Sequence, residues 1–181
     1  MTTVANPTTG ELQAADRQQD LDARDRSGPA IVSRRDDSIA RDIERGVMRL
    51  LRDHAMASLC QLMLPDGRRA DVVGLGADGR IAIIEIKSGL ADFQADLKWH
   101  HYREYANALY FAVQPSFPVD VLPTEAGLIL ADRFGGVFER AAAEHPLTAA
   151  RRKAMIVRFA RAAAGRLHGL ADPDAGAGFS A

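Results

Sequence analysis

Apolar residues in this chain follow two periodicities, helical and strand-like, which alternate in a readable order. A helix is predicted from Asp37 or Ser38, either a good N-cap, to about His54. Ile39, Ile43, Val47, Leu50 and Leu51 form its apolar stripe. Arg41, Asp42, Arg45, Arg49 and Arg52 fall outside that stripe, and Glu44 sits at its edge between Ala40 and Met48. Ser58 to Leu64 then reads as a strand, closed by the turn signal Pro65-Asp66-Gly67-Arg68. Arg69 to Leu75 reads as a second strand, with Asp71, Val73 and Leu75 on one face. Gly76-Ala77-Asp78-Gly79 is a hairpin signal leading into residues 81 to 86, a third strand.

The second half continues the pattern. Leu90 opens a predicted helix of about 16 residues, with Leu90, Phe93, Leu97 and Tyr105 on its apolar face and Asp92, Asp96, Trp99 and Arg103 on another. Leu109 to Val113 is a strand apolar on both faces, and Pro115 and Pro118 interrupt regular structure after it. Leu128 to Ala131, a turn at Arg133 to Gly136, and Val137 to Arg140 predict a closing hairpin. Thr148 caps a last helix running to about His168. The order helix, three strands, helix, strand predicts an α/β domain with a mixed central sheet over residues 37–168, extended by a C-terminal hairpin and a basic helix. Residues 1–36, polar with Ala30-Ile31-Val32 as their apolar cluster, read as a disordered tail, and residues 169–181 as a flexible one.

Composition narrows the class. Hydrophobic residues at 47% and charged residues at 26% over 181 positions fit one soluble globular domain. A single cysteine, Cys60, excludes an intrachain disulfide framework and a multi-cysteine zinc site. The amino terminus lacks the pattern of a signal peptide, and no apolar run approaches the ~20 residues that span a bilayer, so a cytoplasmic protein away from membranes is expected. The formal net charge of -1 argues neither for nor against a polyanionic partner. Charge is nevertheless uneven, because the last helix carries Arg151, Arg152, Lys153, Arg158, Arg161 and Arg166 without an acid. Arg151, Lys153, Arg158 and Arg161 lie off the apolar side formed by Ile156, Phe159, Ala163 and Leu167. They make either a solvated face or a strip that contacts phosphates.

The third strand carries the chemistry. Ile81, Ile83, Glu85 and Lys87 share one face of a strand whose neighbours are β-branched or small, and a charge buried there needs a partner or a metal. If Ala77-Asp78-Gly79 is the hairpin loop, with Gly79 left-handed, Gly76 pairs with Arg80 and Asp71 falls directly opposite Glu85. Two carboxylates that close repel unless a proton or cation intervenes. Asp71, Glu85 and the backbone carbonyl of Ile86 are hard oxygen donors suited to Mg²⁺ or Mn²⁺. With Lys87 to position or deprotonate water, the set describes metal-assisted phosphodiester hydrolysis. Glu44 is either a core-boundary carboxylate satisfied by an arginine or one aimed at this site. Trp99 either packs on another element or stacks on a nucleic-acid base.

Asp71, thirteen residues, then Glu85-Ile86-Lys87 in this element order resembles the PD-(D/E)XK nuclease superfamily, which has a restriction-endonuclease-like core. More narrowly, Arg-Arg-Ala-Asp-Val-Val at 68–73, Ile-Ile-Glu-Ile-Lys-Ser at 83–88, Asp-Phe-Gln-Ala-Asp-Leu-Lys-Trp at 92–99 and Arg-Arg-Lys-Ala-Met at 151–155 are similar to the MmcB family of bacterial DNA-repair endonucleases. The resemblance covers residues 38 to 168. It implies Asp71 and Glu85 as metal ligands, Lys87 as the catalytic lysine and Glu44 as the helix-borne acid. DNA is the implied substrate, and other repair proteins are implied partners. Ala70 stands where the superfamily signature has proline. The same fold hosts proteins that bind without cutting, so an inactive DNA-binding or adaptor protein is the alternative.

Overall fold

A computed structural model describes residues 36–96 and 98–175. The predicted N-terminal tail, Asp36 excepted, lies outside this range, as do Leu97 and the last six residues of the predicted C-terminal tail. The first helix, α1, spans Asp37–Asp53 and turns Ile43, Val47, Leu50 and Leu51 inward. Its cap is Asp36, one residue before the predicted start: Asp36 Oδ1 accepts from the backbone N–H groups of Ser38 and Ile39. Asp36 therefore belongs to the folded domain and not to the tail. Strands β1 (Ala57–Met63), β2 (Arg69–Leu75) and β3 (Ile81–Ile86) come next as an antiparallel meander.

The expected 16-residue helix is broken in two. Helix α2 covers only Leu90–Ala95, and a 3₁₀ segment covers Trp99–Glu104. Asp96 leaves helical geometry at ψ 82. Its carboxylate turns outward from the helix path, accepting from the Lys98 N–H and from the side chain of Lys87. The break thus coincides with a local side-chain to backbone bond and a tertiary ion pair, both on Asp96, that a continuous helix would not offer.

Strand β4 (Ala108–Val113) lies parallel to β3, β5 (Gly127–Ala131) parallel to β4, and β6 (Gly136–Arg140) antiparallel to β5. Among the described residues this makes a six-stranded mixed sheet in the order β1-β2-β3-β4-β5-β6. The last helix, α3, runs Ala149–Ala171 with Thr148 as its cap, so it reaches three residues beyond the predicted end and into the expected C-terminal tail. No described helix is long and apolar enough to cross a membrane.

Helices cover both faces. On one, Val47 and Leu51 of α1 pack with Val72, Ala82, Ile84 and Ile86. On the other, Met155 and Phe159 of α3 pack with Val73, Ile81, Ile83 and Leu109. Every residue of β3 is buried, as its unbroken apolar run predicts. Gly46 lets α1 approach the β5–β6 turn: a Cβ there would stand 2.1 Å from the Asp132 carbonyl oxygen and 2.4 Å from that of Gly135.

Candidate functional site

Hairpin geometry decides where the site forms. Gly79 takes φ +79, Gly79 N–H donates to the Gly76 carbonyl at 3.0 Å, and Gly76 N–H to the Arg80 carbonyl at 2.9 Å. The ladder then runs Leu75–Ile81, Gly74–Ala82, Val73–Ile83 and Val72–Ile84. The next step of that register brings Asp71 to Glu85. There side chains take over from the ladder: Asp71 N–H faces Glu85 Oε1 at 3.4 Å, and Ile86 N–H donates to Asp71 Oδ2 at 2.9 Å. The Asp71 carboxylate thus occupies the space where β2 and β3 part.

Asp71, Glu85 and Lys87 are all buried, as is Ser88. Burial pushes Glu85 well above the usual carboxylate range, and the negative charge of Asp71 pushes it further; the Lys87 ammonium pulls the other way. Lys87 Nζ donates to Asp96 Oδ2 at 2.6 Å. Asp92, near the start of α2, accepts from Ser88 N–H at 3.0 Å and from its hydroxyl at 3.2 Å, and Ser88 Oγ accepts from Asp36 N–H at 3.1 Å. Asp92 and Asp96 therefore have separate partners and do not line one helix face as expected.

Two further groups join the site that sequence reasoning passed over. Gln61 Nε2 donates to Asp71 Oδ1 at 3.2 Å. Gln61 holds φ +53, unusual for a residue with a side chain, and nothing in the sequence signals it. Asp96 is the other, hidden by the expectation of a continuous helix. Glu44 is half-buried and lines a cleft of about 340 Å³ with Asp37, Arg41, Gln61 and Arg69. Gln61 of the same cleft is the residue bonded to Asp71. Among the described residues no three acidic, histidine or cysteine side chains converge as a metal cage. The two carboxylates brought together are Asp71 and Glu85. Hard oxygen donors of this kind suit Mg²⁺, which takes one or two carboxylates and completes its shell with water and phosphate oxygens.

The expected nucleic-acid contacts fare unevenly. Trp99 is half-buried, with its ring 5.5 Å from Phe111 and the Arg103 guanidinium 4.8 Å from its centroid, an arrangement that favours packing over base stacking. On α3, Arg151 lies 3.5 Å from the Glu104 carboxylate, and Arg158 donates to the Met63 carbonyl at 3.3 Å. Lys153, Arg158 and Arg161 border an open groove of about 670 Å³ with Pro65 and Val157. This larger groove is mostly apolar, and neither it nor the Glu44 cleft is lined by Asp71 or Glu85.

A family model described as DNA repair protein MmcB-like matches residues 27–174. A solved structure of a protein of unknown function from Silicibacter pomeroyi is 43% identical, with a TM-score of 0.75 over 78% of this chain and 97% of that one. No curated protein matches the chain.

Proposed function

The chain belongs to the MmcB-like family of DNA repair proteins, and we propose that it is a divalent-metal-dependent deoxyribonuclease on the plan of the PD-(D/E)XK superfamily, cutting DNA internally. One observation carries this reading. Asp71, Glu85 and Lys87 are buried together at one end of a sheet whose core is otherwise apolar. A sequence that keeps three ionisable groups there forgoes stability that apolar residues would supply. Function is the compensation for that cost.

In this reading Asp71, Glu85 and the Ile86 carbonyl hold Mg²⁺ or Mn²⁺. When bound, the metal supplies an acidified water and neutralises charge on the phosphate. Lys87 orients the attacking water and faces the developing negative charge. Gln61 fixes the Asp71 carboxylate by its 3.2 Å hydrogen bond. Glu44 serves as the acid on the helix side of the cleft. DNA as substrate, and other repair proteins as partners, are drawn from the family.

The Lys87–Asp96 pair favours a second reading, in which the lysine is already neutralised and the protein binds DNA without cutting it. The two separate by experiment. Purified protein with Mg²⁺ or Mn²⁺ is incubated with supercoiled, single-stranded, branched and damaged DNA, beside Lys87→Ala. Metal-dependent cutting lost in Lys87→Ala supports the nuclease. DNA binding with no cutting of any substrate supports the second reading.

A further inference from the structure

The outward face of α1 repeats arginine at helical spacing: Arg41, Arg45, Arg49 and Arg52. Four residues of helix advance about 6 Å, so such a row can meet successive phosphates of one strand. A row of surface charge is by itself unremarkable, and its surroundings decide its meaning. Arg45, Arg49 and Arg52 border a cleft of about 390 Å³ between α1 and β1, with Met48, Met56 and Ser58. Arg41 continues the row into the cleft that contains Glu44, Gln61 and Arg69. Gln61 of that inner cleft is bonded directly to Asp71. Two clefts thus lie along one helix, and Gln61 ties the inner one to the buried carboxylates.

The state of these arginines suits an external anion. Among the described residues, Arg41, Arg45 and Arg69 are exposed and none is in an ion pair. Arg52 is shared only with its neighbour Asp53, at 3.6 Å and well exposed, a pairing of little strength. Arg49 is the exception: it donates to the carbonyls of Arg133 and Phe134 and so anchors the β5–β6 turn. The outer cleft has no acid on its lining, while Asp37 and Glu44 line the inner one near the proposed reaction site. On α3, by contrast, Arg151 bonds to Glu104, Arg158 to Met63, and Arg166 to the carbonyls of Cys60 and Gln61.

We propose that the α1–β1 cleft is the track along which a DNA strand reaches Asp71 and Glu85, with Arg41, Arg45, Arg52 and Arg69 meeting its phosphates. This rests on the reading of the protein as DNA-acting, and it assigns the contact to α1 instead of α3. Contacts of this kind grip the backbone without reading bases, so binding is sequence-independent and falls steeply with salt.

The test is fluorescence anisotropy of labelled single- and double-stranded oligonucleotides with the full-length protein, in Ca²⁺ and in chelator, over a salt series. The variants are R45E/R52E, the milder R45Q/R52Q, and K153E/R161E on α3, each checked by circular dichroism melting. The track predicts that R45E/R52E weakens binding on the order of tenfold or more, and that R45Q/R52Q lowers the salt slope by about 2. K153E/R161E changes affinity less than either. Binding unchanged in both α1 variants, or lost only in K153E/R161E, overturns the track while leaving the DNA-acting reading intact. A wild-type protein that binds no DNA in either condition overturns both.

Discussion

Lys87 Nζ lies 2.6 Å from Asp96 Oδ2, joining the end of β3 to the residue at which α2 stops. The pair is asymmetric: the Lys87 side chain is 6% exposed and that of Asp96 25%. Removing the acid takes the hydrogen-bond partner from a buried ammonium, whereas removing the lysine leaves Asp96 a carboxylate that water can reach. Asp96→Asn should therefore cost about 1–3 kcal/mol in urea unfolding, and Lys87→Met less. Equal losses would show that the pair does not carry this asymmetry. In the nuclease reading Lys87→Met is also folded and unable to cut.

Glu85 contributes to stability in the opposite sense to an ordinary carboxylate. Its folded form holds a proton more tightly than the unfolded chain does, through burial first and the Asp71 charge second. The favourable contribution is present below the unfolded glutamate pKa and is lost as pH rises through the raised folded value. In chelator, thermal stability should decline above about pH 4.5 to the extent that Glu85 ionises. Glu85→Gln should flatten that decline and raise the melting temperature at pH 8 by on the order of a few degrees. A wild type and a Glu85→Gln variant with superimposable pH profiles would contradict the assignment.

Cys60 is held protonated. Burial, then the negative charge of Glu44 and a hydrogen bond to it, push the thiol up to about 12. Since the thiolate is the nucleophile, a disulfide reagent at pH 8 should modify native Cys60 at least tenfold more slowly than the guanidinium-unfolded chain. Equal rates would place the thiol in a more open setting than the half-buried one on β1.

Gly46 is required by contact. Adding a Cβ would drive it into the backbone oxygens of Asp132 and Gly135, and neither can swing aside like a side chain. Gly46→Ala should destabilise by about 3 kcal/mol, read as a fall in the urea midpoint. A neutral effect would mean that the β5–β6 turn is free to move away from α1.

Much of this was legible in the chain because it depends on local rules. Gly79 set the loop length, the loop set the register as far as Val72–Ile84, and Asp71 N–H faces the Glu85 carboxylate just beyond it. The unbroken apolar run from Ile81 to Ile86 announced a strand covered on both faces. What could not be read depended on docking. Asp96 lay inside a pattern that continued as helix, and nothing in that pattern signals its pairing with Lys87. Gln61 gave no sign of its left-handed backbone. The arginines of α3 read as a free basic strip, yet Arg158 and Arg166 are bonded to carbonyls of β1, which no pattern within one helix reveals. The row on α1 was visible as polar positions, but the cleft it borders emerged only with the packing of α1 on β1.

The central claim is that Asp71 and Glu85 are buried together to hold a divalent cation. Calorimetric titration of metal-free protein with Mn²⁺ tests it most directly, beside Asp71→Asn and Glu85→Gln. The account predicts one site in the wild type, tighter at pH 8 than at pH 6 because Glu85 must release its proton, and no binding at that site in either variant. No Mn²⁺ binding by the wild type, or binding that survives both substitutions, would contradict it.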